Sequence, residues 1–310
     1  MTNASHDEKY LLKETAQLLG VPWTEPTLTR EFWKLDDGST ISSLRWQEGD
    51  PEIVMLHGGG QNAHTWDAVG LVLNRPFVAI DLPGHGHSSW REDKEYWPFT
   101  GAESIATVLD RMGLSNVALV GMSMGGLTAI HLAAIRPAMF SRVVIIDVTP
   151  SQMDQMKKMT LEERGTTALT QGPDRYESLQ AMIDATTALA PTRPALLIER
   201  GVVHNSQQFD DGQWGWRYDS MKRPDGEDPS EFLNDDFLAL WHEVNGIEIP
   251  IMLVRGGASA FVTEEHVAEF RSRAKDFRFA IVDGAGHSVQ SDRPAELAAL
   301  LTEYIEENTY

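Results

Sequence analysis

Val117-Ala118-Leu119-Val120-Gly121-Met122-Ser123-Met124-Gly125-Gly126 is the stretch that decides the fold of this chain. Its apolar first half is typical of a short buried strand, and the small residues of 127–135 predict a helix directly after it. The G-x-S-x-G pattern between them predicts a sharp strand-to-helix turn that exposes the Ser123 hydroxyl above the sheet edge. The N-terminus of that helix would favour a negative charge beside Ser123, so we expect this serine to be a nucleophile.

Short apolar runs alternate with helical patterns on both sides of this stretch. The other runs predicted as strands are 30–35, 40–46, 53–56, 77–81, 143–147, 250–254 and 277–282. Between the sixth and seventh strands the strand pattern disappears, and helical spacing recurs around 179–189 and 196–203. This alternation predicts an α/β fold with a mostly parallel sheet covered by helices on both faces. We expect a core of residues 1–147 and 247–310, in which 1–29 form an N-terminal helical extension, and a helical lid at 148–246.

The composition argues against several classes of function. The 310 residues suffice for one large α/β domain with an insertion. A formal net charge of −20 argues against binding nucleic acid or an anionic membrane, and the absence of cysteine excludes disulfides and thiolate metal sites. No apolar signal core or membrane-spanning run is visible. We therefore expect a cytoplasmic protein, monomeric or homodimeric, that acts on a small molecule.

Two glycine-rich loops follow other predicted strands and supply what a serine nucleophile needs. In the loop His57-Gly58-Gly59-Gly60, the Gly59 N–H could join the Met124 N–H in an oxyanion hole, although a triple glycine can also be only a tight loop. Late in the chain, Gly284-Ala285-Gly286-His287 places His287 where a base could take the serine proton. Both loops lie at the carboxyl ends of strands, where open α/β sheets bind ligands.

These segments resemble those of the α/β-hydrolase fold family, in particular its bacterial lid-bearing serine esterases and carbon–carbon hydrolases. The resemblance rests on His57-Gly58-Gly59-Gly60, Asp81-Leu82-Pro83-Gly84-His85-Gly86-His87-Ser88, Gly121-Met122-Ser123-Met124-Gly125-Gly126 and Gly284-Ala285-Gly286-His287. It implies Ser123 as the nucleophile, His287 as the base, and Gly59 and Met124 as the oxyanion donors. A reaction of this kind needs no metal and no organic cofactor, and we predict neither; His85 and His87 lack a third metal ligand in their loop.

The acid that orients His287 departs from the family pattern. Members usually carry it after the seventh strand, but here the loop Gly256-Gly257-Ala258-Ser259-Ala260-Phe261-Val262 contains no carboxylate. Some relatives, including haloalkane dehalogenases, carry it after the sixth strand, where this chain has Asp147. We assign Asp147 as the acid that fixes the imidazole. Glu264 or Glu265 is the alternative, and Asp147 could instead cap the loop 148–150.

The predicted lid contains an aromatic cluster at 211–219. One interpretation is that Trp214 or Trp216 lines an apolar acyl or aryl pocket and Arg217 meets a substrate carboxylate. The other is that the aromatic side chains pack the lid against the core, with Arg217 paired to Asp219 or another acid.

Three functions remain open at this stage. The first is a serine hydrolase that cleaves a small ester or lactone through an acyl-enzyme on Ser123. The second is a carbon–carbon bond hydrolase of a ring-cleavage product, although such enzymes typically have Trp where this chain has Ser288. The third is a non-hydrolytic receptor or a cofactor-free oxygenase that uses the same pocket. Epoxide hydrolases and dehalogenases of this fold need an aspartate nucleophile, so Ser123 excludes that mechanism.

Overall fold

A large central sheet organises the computed structural model, which describes residues 7–220 and 234–307. The strands of the described residues are β1 (Leu28–Lys34), β2 (Thr40–Trp46), β3 (Ile53–Leu56), β4 (Phe77–Asp81), β5 (Val117–Met122), β6 (Phe140–Ile146), β7 (Ser206–Gln208), β8 (Trp214–Trp216), β9 (Ile251–Gly256) and β10 (Phe277–Val282). The central sheet has the order β1-β2-β4-β3-β5-β6-β9-β10. Within this sheet the pairs β1–β2 and β2–β4 are antiparallel, and the strands β4, β3, β5, β6, β9 and β10 run parallel to one another.

Helices cover both faces of this sheet. The helices of the described residues are α1 (Leu12–Leu18), α2 (Asp67–Leu73), α3 (Pro98–Met112), α4 (Met124–Ile135), α5 (Gln152–Met156), α6 (Leu161–Arg164), α7 (Leu179–Leu189), α8 (Ala195–His204), α9 (Asn234–Gly246), α10 (Glu264–Arg273), α11 (Val289–Asp292) and α12 (Pro294–Glu306), with 3₁₀ helices at Ala63–Trp66 and Gly165–Gln171. Alternate residues of each buried strand face opposite layers. In β3, Val54 and Leu56 pack with α3, α4 and α9, whereas Ile53 and Met55 pack with α2 and α12. The predicted α/β fold is therefore confirmed.

The segment predicted as a wholly helical lid differs in two respects, and we call it the insertion (148–246). It contains a small antiparallel sheet of β7 and β8, whose short strands are not recognisable by periodicity. Its last helix, α9, packs against α4 and contributes Leu240 and Trp241 to a core layer of the main sheet. Residues 221–233 of the insertion and 1–6 of the predicted N-terminal extension lie outside the described residues.

The turn around Ser123 depends on two glycines that leave no room for a side chain. A Cβ atom on Gly121 would lie 2.2 Å from the carbonyl oxygen of Gly125. One on Gly125 would lie 2.4 Å from the carbonyl oxygen of Leu56 and 2.5 Å from that of His57. The start of α4 is therefore pressed against the end of β3, which brings the loop after β3 close to Ser123.

We predict that Gly125→Ala lowers the free energy of unfolding by about 3 kcal/mol, because backbone atoms rather than flexible side chains oppose the new methyl group. Gly246→Ala is the matched control, since a Cβ atom there meets nothing within 4 Å. Urea unfolding followed by circular dichroism measures both. Equal unfolding midpoints for the two variants would show that the turn relaxes to admit a side chain.

Candidate active site

The structure brings Ser123, His287 and Asp147 together. Ser123 lies between β5 and α4 with a left-handed φ of 52°, which holds its hydroxyl above the sheet edge. His287 Nε2 lies 3.0 Å from Ser123 Oγ, and His287 Nδ1 lies 2.8 Å from Asp147 Oδ2. Because a carboxylate only accepts, Nδ1 carries the proton and Nε2 is free to accept the serine proton. This is the geometry of a nucleophile, a base and an orienting acid.

Asp147 is completely buried, and its carboxylate accepts three hydrogen bonds. The Gly256 N–H donates to Oδ1 at 3.0 Å, while Ser259 Oγ–H and His287 Nδ1–H donate to Oδ2. The two alternative acids lie elsewhere. Glu264 is 75% exposed and pairs with Arg255, and Glu265 is exposed at the start of α10. Among these three candidates, Asp147 is the one that the structure places beside His287.

The loop 57–60 is fixed by hydrogen bonds on both sides of Gly59. His57 Nδ1–H donates to the Gly58 carbonyl oxygen at 2.7 Å, and the Gly60 N–H donates to His85 Nε2 at 3.1 Å. From the insertion, Asn205 Nδ2–H donates to the Gly60 carbonyl oxygen at 2.7 Å. Within the described residues, the N–H groups of Gly59 and Met124 have no hydrogen-bond partner. Two unpaired donors at this position could stabilise an oxyanion.

Two buried histidines, both in the neutral form, hold this loop in place. Each ring donates through Nδ1, His57 to Gly58 and His85 to Pro83, and each accepts a backbone N–H at Nε2. Burial, together with the neighbouring His85, lowers the pKa of His57 to about 3. Burial likewise lowers the pKa of His85. A proton on either Nε2 would abolish the hydrogen bond that this atom accepts, so the loop geometry requires neutral rings.

Trp214 and Arg217 are not at the cavity that adjoins this loop. Its lining among the described residues includes Gly59 and, from the insertion, Trp216 and Tyr218. Trp214 packs instead on the small apolar core of the insertion, and Arg217 Nε–H donates to the Ser206 carbonyl oxygen at 2.8 Å.

The suggested partner of Arg217 is also different. The Asp219 carboxylate binds Lys94 and the Tyr96 hydroxyl on the core. Of the residues predicted to contact the substrate, Trp214 and Arg217 thus do not line this cavity, whereas Trp216, the alternative to Trp214, does. Which side chain of this short segment faces the cavity cannot be read from sequence.

One group of buried side chains has the distances of a metal site. The ligand atoms of His64, Asp67 and His204 lie within 4.8 Å of one another. Burial opposes a charge on His64, yet Asp67 and Glu8, at 2.8 and 2.7 Å, raise its pKa above the usual value. Since Arg200 also binds Asp67, positive charge already surrounds this group, and we interpret it as an ion-pair network rather than a cation site.

The sequence analysis missed three residues of this site. Ser259, which orients Asp147, occupies the loop where family members usually carry their acid, and a short polar residue there was the available signal. The Phe261 ring stacks on His287 at a centroid distance of 3.6 Å. Asn205 reaches the loop 57–60 from the C-terminal end of α8. The last two contacts join distant segments and have no local sequence signature.

Comparisons with known proteins agree with this geometry. A sequence model of the alpha/beta hydrolase family matches residues 53–300. Esterase Rv0045c of Mycobacterium tuberculosis is 45% identical over 296 residues, which cover 95% of this chain and 94% of that protein. A crystal structure of the same esterase matches 99% of this chain and 100% of its own, with a TM-score of 0.83 and 41% identity. The structure of E-2-(acetamidomethylene)succinate hydrolase covers 91% of this chain and 100% of its own at 22% identity and a TM-score of 0.75, and it shares the fold.

The neutral state of His57 predicts a loss of stability in acid. Its folded-state pKa of about 3 lies below the ordinary value of 6.5, so the unfolded chain binds the extra proton between these pH values. Stability therefore falls as the pH drops below about 6.5, by about 1.4 kcal/mol per pH unit for this one group. We expect urea midpoints measured from pH 7 to 4.5 to decline less steeply in His57→Gln. The exposed His242→Gln should keep the wild-type slope, and parallel curves for all three proteins would contradict a neutral His57.

Proposed function

The chain belongs to the alpha/beta hydrolase family, and we propose that it is a serine hydrolase that cleaves small carboxylic esters or lactones through an acyl-enzyme on Ser123. The observation that carries the proposal is the hydrogen-bonded series Ser123–His287–Asp147, together with the N–H groups of Gly59 and Met124, which have no hydrogen-bond partner in the part of the chain that the structure describes. Similarity to an esterase along nearly the whole chain supports an ester as the substrate. The residue at the nucleophile position is serine and not aspartate, and a serine hydroxyl that attacks an ester forms an acyl intermediate.

The first half of the proposed reaction transfers the acyl group to Ser123, and it begins with His287 Nε2 unprotonated and facing the serine hydroxyl. His287 Nε2 takes the hydroxyl proton while Ser123 Oγ bonds to the carbonyl carbon, whose π electrons move to the oxygen. The N–H groups of Gly59 and Met124 stabilise this oxyanion, and Asp147 stabilises the imidazolium. The oxyanion then collapses, the bond to the alcohol oxygen breaks, and His287 returns the proton to that oxygen. The acyl group remains on Ser123.

Deacylation repeats these steps with water. His287 removes a proton from a water molecule, whose oxygen attacks the acyl carbon and regenerates the oxyanion. When the bond to Ser123 Oγ breaks, His287 returns the proton to the serine and the carboxylic acid leaves. A lactone gives the hydroxy acid by the same sequence.

We also propose that the insertion acts as a lid. Its Asn205 side chain donates a hydrogen bond to the loop 57–60, and its Asp219 N–H donates to the Gly84 carbonyl oxygen at 2.7 Å. The Asp219 carboxylate holds Lys94 and Tyr96. These contacts attach the insertion to the two core loops that follow β3 and β4, so the insertion forms one wall of the substrate cavity.

We predict that Ser123→Ala abolishes hydrolysis of p-nitrophenyl butyrate, because the variant lacks the hydroxyl group that His287 activates and that would carry the acyl group. Asp147→Asn should reduce kcat about 10⁴-fold, since the amide no longer fixes the histidine tautomer or stabilises its charge. Glu264→Gln is the matched control and should keep wild-type activity. Initial rates and a stoichiometric p-nitrophenol burst measure these effects.

The alternatives correspond to distinct results. Near-normal activity of Asp147→Asn, with a loss in Glu264→Gln, would transfer the acid role to Glu264. If folded wild-type protein hydrolysed no ester, the proposed function would be wrong, and a dienone acid would be the next substrate to assay for carbon–carbon cleavage.

A further inference from the structure

The proposed reaction needs two loops at a fixed distance, and these loops come from distant parts of the sheet. Gly59, the proposed oxyanion donor, lies in the loop after β3, and His287 lies in the loop after β10. In the central sheet, the three strands β5, β6 and β9 lie between β3 and β10. The donor and the base act on the same tetrahedral centre, and each must lie within hydrogen-bond distance of an oxygen bonded to it. A direct connection between the two loops would therefore matter for the reaction.

The side chain of Gln61 makes such a connection. Its Oε1 accepts the Gly58 N–H at 3.2 Å, and its Nε2–H donates to Ser288 Oγ at 3.4 Å. Because a backbone N–H can only donate, the Gly58 contact decides which end of the carboxamide is the oxygen. The bond to Ser288 is the weaker of the two because it is longer. Gln61 thus joins the residue before the proposed oxyanion donor to the residue after the proposed base.

A second glutamine strengthens this connection. Gln290 is completely buried and lies in α11, close behind His287 in the chain. Its Nε2–H donates to Gln61 Oε1 at 3.2 Å and to Thr65 Oγ1 at 3.0 Å. The segment that follows His287 therefore binds the Gln61 carboxamide at two points, through Ser288 and through Gln290, and holds it in one orientation.

Gln61 also holds Gly58 from both sides. Its side chain binds the Gly58 N–H, and its own backbone N–H donates to the Gly58 carbonyl oxygen at 3.2 Å. That oxygen belongs to the same planar peptide group as the Gly59 N–H, which points in the opposite direction. Gln61 therefore helps to set the direction of the proposed oxyanion donor.

The residue that Gln61 holds lies beside the nucleophile. Gly58 is buried, and a Cβ atom built on it would lie 3.2 Å from Ser123 Cβ and 2.6 Å from the sulfur of Met122. A small displacement of this residue would therefore move the loop 57–60 relative to Ser123. Small misplacements at a reacting centre cost large factors in rate.

We propose that Gln61 is a positioning residue that couples the proposed oxyanion donor to the proposed base. It acts through the Gly58–Gly59 peptide on one side and through Ser288 and Gln290 on the other. The proposal rests on the proposed function, because this separation matters only if an oxyanion forms at Gly59 while His287 transfers the proton. A residue of this kind affects the transition state and leaves substrate binding unchanged, so its loss lowers kcat but not KM.

The first variant is Gln61→Met, because methionine keeps the length of the side chain without the carboxamide. With p-nitrophenyl butyrate we expect kcat to fall about 30-fold, less than the loss of about 10²–10³-fold for removal of a whole oxyanion donor. KM should stay within about twofold of the wild-type value. Rates are divided by the number of Ser123 side chains that a fluorophosphonate labels at completion. Gln180→Met, which removes a glutamine hydrogen bond on the exposed surface of α7, is the matched control and should keep wild-type kinetics.

A pair of inhibitors distinguishes positioning from a general structural defect. When Ser123 Oγ adds to a trifluoromethyl ketone, its proton passes to His287 and the ketone oxygen becomes an oxyanion. Butyrate, the product of the ester, binds without forming one. Gln61→Met should weaken inhibition by the ketone by about the same factor as it lowers kcat/KM and leave inhibition by butyrate unchanged. Equal weakening of both inhibitors would overturn the positioning role.

A double variant tests the coupling between the loops. Ser288→Ala removes the longer of the two bonds that the Gln61 side chain makes to these loops, so kcat should fall about threefold. Gln61→Met/Ser288→Ala should be no slower than Gln61→Met, because the bond between the two side chains is already lost. Losses that multiply in the double variant, or a wild-type kcat in Ser288→Ala, would overturn the coupling.

The remaining outcomes separate this proposal from the proposed function. A wild-type kcat in folded Gln61→Met, or a loss that disappears once rates are divided by the labelled Ser123, would overturn the role of Gln61 and leave ester hydrolysis intact. If Gln61→Met does not fold, the kcat of Ser288→Ala still decides whether the link to the His287 loop matters. If folded wild-type protein hydrolysed no ester, the proposed function itself would fail.

Discussion

The buried carboxylate of Asp147 is the constraint around which the sheet edge is built. An ionised group without solvent contact is stable only when hydrogen bonds replace its hydration. Here the three donors come from the end of β9, from the loop after β9 and from the loop after β10. These segments pack so closely that a Cβ atom on Gly256 would lie 2.2 Å from the Gly286 carbonyl oxygen. The hydrogen bonds that compensate the buried Asp147 carboxylate therefore also fix the loop that carries His287.

Two of the three residues of the Ser123–His287–Asp147 series adopt backbone conformations that few side chains tolerate. Ser123 and Asp147 have φ values of 52° and 53°, in the left-handed region. Such conformations persist only where the surroundings over-determine them, and they concentrate at functional sites. For Ser123 the cause is the close packing of α4 against β3, and for Asp147 it is the need to turn its carboxylate back toward β9 while its N–H binds the Val254 carbonyl oxygen.

Sequence was sufficient for features that are encoded locally. The apolar runs of the parallel strands and the glycine pattern around Ser123 depend on neighbours within a few residues, so the core fold followed from them. Asp147 required the family comparison, because nothing in its own segment distinguishes an acid that orients a histidine from a loop cap. Ser259, Phe261 and Asn205 act across long sequence separations. In the insertion, α9 resembles any amphipathic helix, and only its packing on α4 shows that it covers the main sheet.

The insertion matters chemically because it completes the constraint on Gly59. A donor stabilises an oxyanion most when its direction is set before the charge develops, since no reorganisation is then needed. The peptide groups around Gly59 are held at the Gly58 oxygen by His57, at the Gly60 nitrogen by His85, and at the Gly60 oxygen by Asn205. Two of these anchors belong to the core and one to the insertion. Loss of the Asn205 contact would therefore free one of these three anchors of the loop 57–60, which carries the proposed oxyanion donor Gly59.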